Sequence, residues 1–163
     1  MDQYALHQVF EINHTVKEYY GNYEFFRGFP FDSLMVFAQT LQMYTAVSLS
    51  RHYLSETKDI LYCDAPNSPR RRGVQYVLSQ ILLNYLSMIS PLIPLYAEEA
   101  WNYTPAVLKR EDAVYKMGWF SPPAEWSRED LASDMANLEP LKEKVLGILE
   151  QARQEQYVTF KCD

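Results

Sequence analysis

Several side chains in this sequence have types and spacings that could do chemistry. His7, Glu11 and His14 fall at i, i+4 and i+7, so on a helix they share one face and offer imidazole and carboxylate donors. A closed metal site needs a further donor and an enclosed pocket, and a solvated polar face is the competing reading; no metal is expected. Glu98-Glu99 suggests acid–base work, but neighbours on a helix point about 100° apart. Acids near a helix start are better explained as complements to its positive end. Arg70-Arg71-Arg72 presents three guanidinium groups, suited to forked contact with phosphates or carboxylates. Three cations beside a helix start are locally unfavourable, which favours an external anionic partner over a single internal ion pair. The 13 tyrosines and 3 tryptophans invite a base-stacking reading. Most of them sit at apolar helical spacings and belong to a core; Tyr23, Tyr103 and Trp119 fall in predicted loops. No Gly-rich phosphate loop, GxSxG elbow or HExxH pair is present, so no catalytic site is expected in these residues.

The elements that position these groups are helices. Residues 2–20 show Leu6, Val9, Phe10, Asn13, Val16 and Tyr20 at three- and four-residue spacing, with Asp2 placed to cap and Gly21 to stop. Gly21-Asn22 reads as a turn. A segment starting at Tyr23 is broken at Gly28-Phe29-Pro30, and a helix capped by Asp32 or Ser33 then runs to about Leu61 along Leu34, Phe37, Leu41, Tyr44 and Val47. Asp64 to Pro69 is a loop. Ser68 caps and Pro69 opens a strongly periodic helix through Val74, Val77, Leu78, Ile81, Leu82, Tyr85, Leu86 and Ile89. Pro91 and Pro94 open a short helix to about Trp101. Residues 102–127 read as irregular, with Tyr115 to Phe120 extended. A last helix runs from about Arg128 to Gln156, kinked or split at Pro140. The class is all-α, an up-and-down helical bundle over residues 1–155 with an unassigned tail at 156–163.

With 163 residues and 48% hydrophobic content the chain suits one globular core. No apolar run reaches membrane-spanning length, and the polar N-terminus does not read as a signal peptide. Cys63 and Cys162 lack metal-site spacing and are expected as reduced thiols. The net charge of −6 argues against a broad phosphate-binding surface. Its distribution weakens that objection: residues 1–65 carry −4, residues 66–120 carry +2 and residues 121–163 carry −4. The basic third begins at the arginines.

Four stretches carry a family resemblance. They are Leu49-Ser50-Arg51-His52-Tyr53-Leu54, the run Lys58-Asp59-Ile60-Leu61-Tyr62, Asp64-Ala65-Pro66-Asn67-Ser68-Pro69-Arg70-Arg71-Arg72, and Ser90-Pro91-Leu92-Ile93-Pro94-Leu95-Tyr96-Ala97-Glu98-Glu99-Ala100-Trp101. Over residues 1 to 155 the chain resembles the anticodon-binding helical bundle of isoleucyl-tRNA synthetases, class I enzymes, of bacterial or mitochondrial type. Met117-Gly118-Trp119-Phe120 adds weaker support. The sequence departs from the family at Gly28 to Asp32, which resembles an insertion, and at Ser48, where aspartate is usual. After Glu155 nothing matches, and a following zinc-bearing segment is missing.

The resemblance implies a tRNA-binding segment of an isoleucine–tRNA ligase, whose full-length enzyme joins isoleucine to its tRNA using ATP. The ATP-binding HIGH and KMSKS motifs of class I synthetases are absent, so ATP and Mg belong to the parent catalytic domain and this segment has no cofactor. Expected partners are tRNA and that catalytic domain, with no membrane and no oligomer. The expected location is the mitochondrial matrix, with cytoplasm as the alternative. Arg70, Arg71, Arg72 and Lys58 are candidates for RNA contact or domain docking. Asn22, Tyr23, Tyr103 and Trp119 are candidates for the anticodon end. A helical protein-interaction module without an RNA role is the competing class, supported by the acidic balance.

Overall fold

The computed structural model describes residues 1–21 and 31–155, with backbone alone at 31–34. It divides into two compact units, residues 1–127 and a second beginning at Arg128. All regular structure among the described residues is helical.

In the first unit, α1 spans Asp2–Gly21 and α2 spans Phe31–Met43. A π-helical stretch, Tyr44–Leu54, leads without a break into α3, Ser55–Cys63. α4 spans Pro69–Ile89 and α5 spans Pro94–Tyr103. Short 3₁₀ turns at Ala106–Leu108, Val114–Met117 and Ala124–Trp126 complete it. Val114–Met117 thus replaces part of the extended segment expected at Tyr115–Phe120. Gly118 follows at φ +73, a left-handed geometry that strains other residues, and turns the chain into Trp119-Phe120.

The long-range contacts fix the directions. Asp2 lies against Gly73, the Asn13 amide donates to Asn84, and the Tyr20 hydroxyl donates to the Met88 carbonyl at 2.8 Å. α1 and α4 therefore run parallel. Phe37 packs edge-on to Tyr19 and Tyr20, while the Tyr53 hydroxyl donates to Asp2 at 2.9 Å. The rod from α2 to α3 thus runs antiparallel to both, and α5 climbs back after the turn at 90–93. The up-and-down alternation follows from these short reversals.

Two apolar clusters stack along the bundle. Ala5, Val9, Tyr53, Val74, Val77, Ile81 and Trp126 form one. Ile12, Val16, Phe37, Leu41, Tyr44, Leu86, Met88, Ile89, Ala97, Trp101 and Val114 form the other. On α4 the buried Asn84 falls between them in sequence, and it meets the buried Asn13 of α1. Nothing in the apolar periodicity signals the π-helical stretch. Just inside it the Thr45 hydroxyl donates to the Leu41 carbonyl at 2.8 Å, competing with the regular backbone ladder where the helix widens.

In the second unit, α6 is one helix, Glu129–Gln154, that runs through Pro140. Of the kink or split expected at Pro140, the split does not occur. Proline removes one amide donor, and the rest of the 26-residue ladder carries the helix past it.

Candidate nucleic-acid interface

The arginine end is built by a five-residue connection between α3 and α4. Asp64 leaves the helix in extended geometry, the Ser68 amide donates to the Ala65 carbonyl, and Pro69 occupies the first turn of α4. Ser68 stands at the N-cap position, but its hydroxyl donates to Asp64 Oδ2 at 2.9 Å instead of accepting from a helix amide. Arg71 Nη1 donates to the Asp64 carbonyl at 3.2 Å, and its buried Nε has no partner. Arg72 donates to Asn67 Oδ1 at 3.0 Å and Gln75 Oε1 at 3.3 Å. Arg70 is exposed. All the acceptors are neutral, and no carboxylate among the described residues pairs with any of the three. Two arginines thus brace the loop while the cluster keeps its positive charge. Lys58 is exposed on α3, one turn before Tyr62, which is 84% exposed.

Elsewhere the candidates separate. Asn22 and Tyr23 lie outside the described residues. Tyr103 is the last residue of α5, not a loop residue, and is 84% exposed. Its helix has climbed from the turn at 90–93 to the level of Gln80 and Leu83, which share a cavity with Trp101. Tyr103 therefore lies partway up the bundle, away from that turn. Trp119 is half-buried; its Nε1 donates to Asn13 Oδ1 at 3.2 Å and its ring meets Tyr20 edge-on. His7 is buried while Glu11 and His14 are exposed, so the face they share is not uniformly solvated as the sequence suggests. Among the described residues no group of three His, Cys, Asp or Glu comes together. No described helix is long and apolar enough to cross a membrane.

Among the clefts that open on the first unit, two lie beside α4. One, of about 760 Å³, is largely apolar and lies between the π-helical stretch and the end of α4; the Thr45 and Tyr85 hydroxyls meet there at 3.3 Å. The other, of about 390 Å³, has polar and aromatic walls, including Gln80, Trp101, Arg110, Trp119 and Ser121. Sequence reasoning misses Gln80 and Arg110. Only the three-dimensional return of residues 104–121 onto α4 brings them together.

A model of the anticodon-binding domain of tRNA ligases matches residues 2–161. This chain belongs to that family. The anticodon-binding domain is 33% identical over 158 residues to an isoleucine–tRNA ligase of a Synechococcus species, covering 97% of this chain and 16% of that protein. It is 31% identical to the isoleucine–tRNA ligase of Crocosphaera subtropica over 100% of its own length and 16% of the relative. For the isoleucine–tRNA ligase of a Cyanothece species the values are 36%, 94% and 15%. The domain thus spans about a sixth of these relatives and corresponds to their anticodon-binding region. It contains no catalytic motif of its own.

Proposed function

We propose that this domain binds tRNA within an isoleucine–tRNA ligase, holding the anticodon arm while a separate catalytic domain of the same parent chain performs the ATP-dependent joining of isoleucine to tRNA. The observation that carries the reading is the arginine cluster at the start of α4, whose charges meet no carboxylate among the described residues. An uncompensated guanidinium cluster on an otherwise acidic chain suits phosphate contact. Arg70, Arg71, Arg72 and Lys58 contact the tRNA backbone or an acidic patch of the catalytic domain. Asn22 and Tyr23, which follow α1 in sequence, are the candidates for reading the anticodon, with Tyr103 and Trp119 presenting aromatic surface partway along the bundle.

The parent on this reading is of bacterial or mitochondrial type and acts in the mitochondrial matrix, with the cytoplasm as the alternative. The test is binding of the purified chain to an isoleucine tRNA transcript over a range of salt concentrations. Phosphate contacts require affinity to fall steeply as salt rises. Weak binding with no salt dependence removes the RNA role and leaves a protein-interaction module.

A further inference from the structure

We propose that the 390 Å³ cavity between α4 and the returning segment 104–121 is a nucleobase pocket: it takes an unstacked base of the bound RNA. The volume lies in the range of small-ligand sites. Its lining has the chemistry a base requires. Trp119 and Phe120 supply aromatic surface, while Gln80 and Ser121 supply groups that can donate and accept hydrogen bonds at a base edge. Arg110 is exposed, lines the cavity and has no ion-pair partner among the described residues, so it is free to meet the phosphate attached to that base.

A second observation ties the cavity to the arginine end. Arg72, Tyr76 and Gln80 recur at four-residue spacing along one stripe of α4, and Tyr76 is 53% exposed. From Arg72 to Gln80 the rise is about 12 Å. A cation, an exposed aromatic ring and a polar cavity therefore follow one another down one face. Single-stranded RNA binds to such a track through alternating phosphate contact and stacking. The walls are fixed from behind: Trp119 is held by Asn13, and Trp101 Nε1 donates to the Glu111 carbonyl at 3.3 Å.

The pocket rests on the tRNA-binding reading, and two measurements separate their fates. The first titrates the ¹⁵N-labelled chain with each of the four nucleoside 5′-monophosphates and follows the three indole N–H signals. Trp101 and Trp119 line the cavity, whereas Trp126 packs in the other core cluster and serves as the internal control. Saturable shifts of the first two with at least one nucleotide are expected, and a distinctly smaller one at Trp126, which meets only the Phe120 wall, at 6.2 Å between ring centres. No shift, or an equal shift of all three, overturns the proposal. The second measures binding of an isoleucine tRNA transcript to Gln80→Trp, which fills the cavity, and to Arg110→Ala, an exposed change that leaves the core intact. Each is expected to weaken binding about tenfold, the scale of removing one stacked base. If the unaltered chain binds the transcript with a steep salt dependence and both variants bind equally well, the pocket falls while the tRNA reading stands. If mononucleotides shift the two indoles but no transcript binds, the cavity is a free-nucleotide site, and both the RNA-base assignment and the tRNA reading fall.

Discussion

Asn13 ties three parts of the bundle together through one amide. Its Oδ1 accepts from Trp119 Nε1, and its Nδ2 donates to both Asn84 Oδ1 and the Phe120 carbonyl. That pattern fixes which amide atom is oxygen, since Trp119 can only donate. Asn13→Leu keeps the volume but leaves the Phe120 carbonyl and the Trp119 N–H without partners, so a loss of about 1–3 kcal/mol is expected in urea unfolding. A change within a few tenths of that of a surface variant contradicts this role. Tyr20 gives a prediction of changing sign. Burial pushes its hydroxyl up to about 12, so its neutral form is favoured in the folded state. The associated stability is complete below the ordinary tyrosine value near 10 and is lost as pH rises through about 12. Buried Tyr44 and Tyr53 are raised as well, Tyr53 also by its bond to Asp2, so unfolding should set in on this alkaline side. Tyr20→Phe loses the bond to Met88, costing about 0.5–1.5 kcal/mol at pH 7. That deficit should shrink or reverse near pH 11 to 12 in pH-dependent thermal melts; a constant deficit argues against the shift.

At the scale of elements, legibility tracks how local the cause is. α1, α4 and α5 follow from periodic apolar residues, with Gly21 at the end of α1 and Pro69 and Pro94 at the starts of α4 and α5; the caps expected of Asp2 and Ser68 do not form, Asp2 accepting from Tyr53 and Ser68 donating to Asp64. The π-helical stretch escapes because a threonine hydroxyl and the packing of Tyr85 against Thr45 alter the ladder without changing the periodicity. Residues 114–117 mislead for a similar reason: apolar residues in a short segment do not distinguish an extended chain from a 3₁₀ turn, and Gly118 decides the geometry only with its neighbours in place. The arginines are visible as a charge cluster, but their bonds to the Asp64 carbonyl and Asn67 require the loop to close. Gln80 and Arg110 carry no local signal. The orientation of α4 sets a further expectation. Leu86 is 2% exposed in the main core, whereas Leu82, on the same apolar stripe, is only half-buried against it. Leu86→Ala should cost about 2–5 kcal/mol in chemical unfolding, and Leu82→Ala distinctly less, because neighbours and water can occupy part of its space. The reverse order would mean that α4 is rotated in the bundle.

For the whole molecule, the question is how a chain of net charge −6 presents itself to a polyanion. Screening answers part of it: at physiological salt the Debye length is about 8 Å, so acidic residues on remote faces do little to a phosphate beside the arginines. The parallel course of α1 and α4 puts their starts at one end with the 64–69 loop, while the turn at 90–93 lies at the other. On the proposed tRNA-binding reading, phosphate contacts at the arginine end would fix position and carry no base information. Arg70 tests this most cleanly, since it is exposed and no loop bond depends on it. Arg70→Gln is expected to leave stability unchanged and reduce the slope of log affinity against log salt by about 0.7–0.9 for each phosphate it no longer neutralises. Arg71→Gln should add a loss of stability, because it also releases the Asp64 carbonyl. With transcripts carrying altered anticodons, both variants should weaken binding of every transcript by a similar factor. A selective change in the ranking of anticodons by Arg70→Gln or Arg71→Gln would place base reading at the arginine end and reverse the assignment of the two ends.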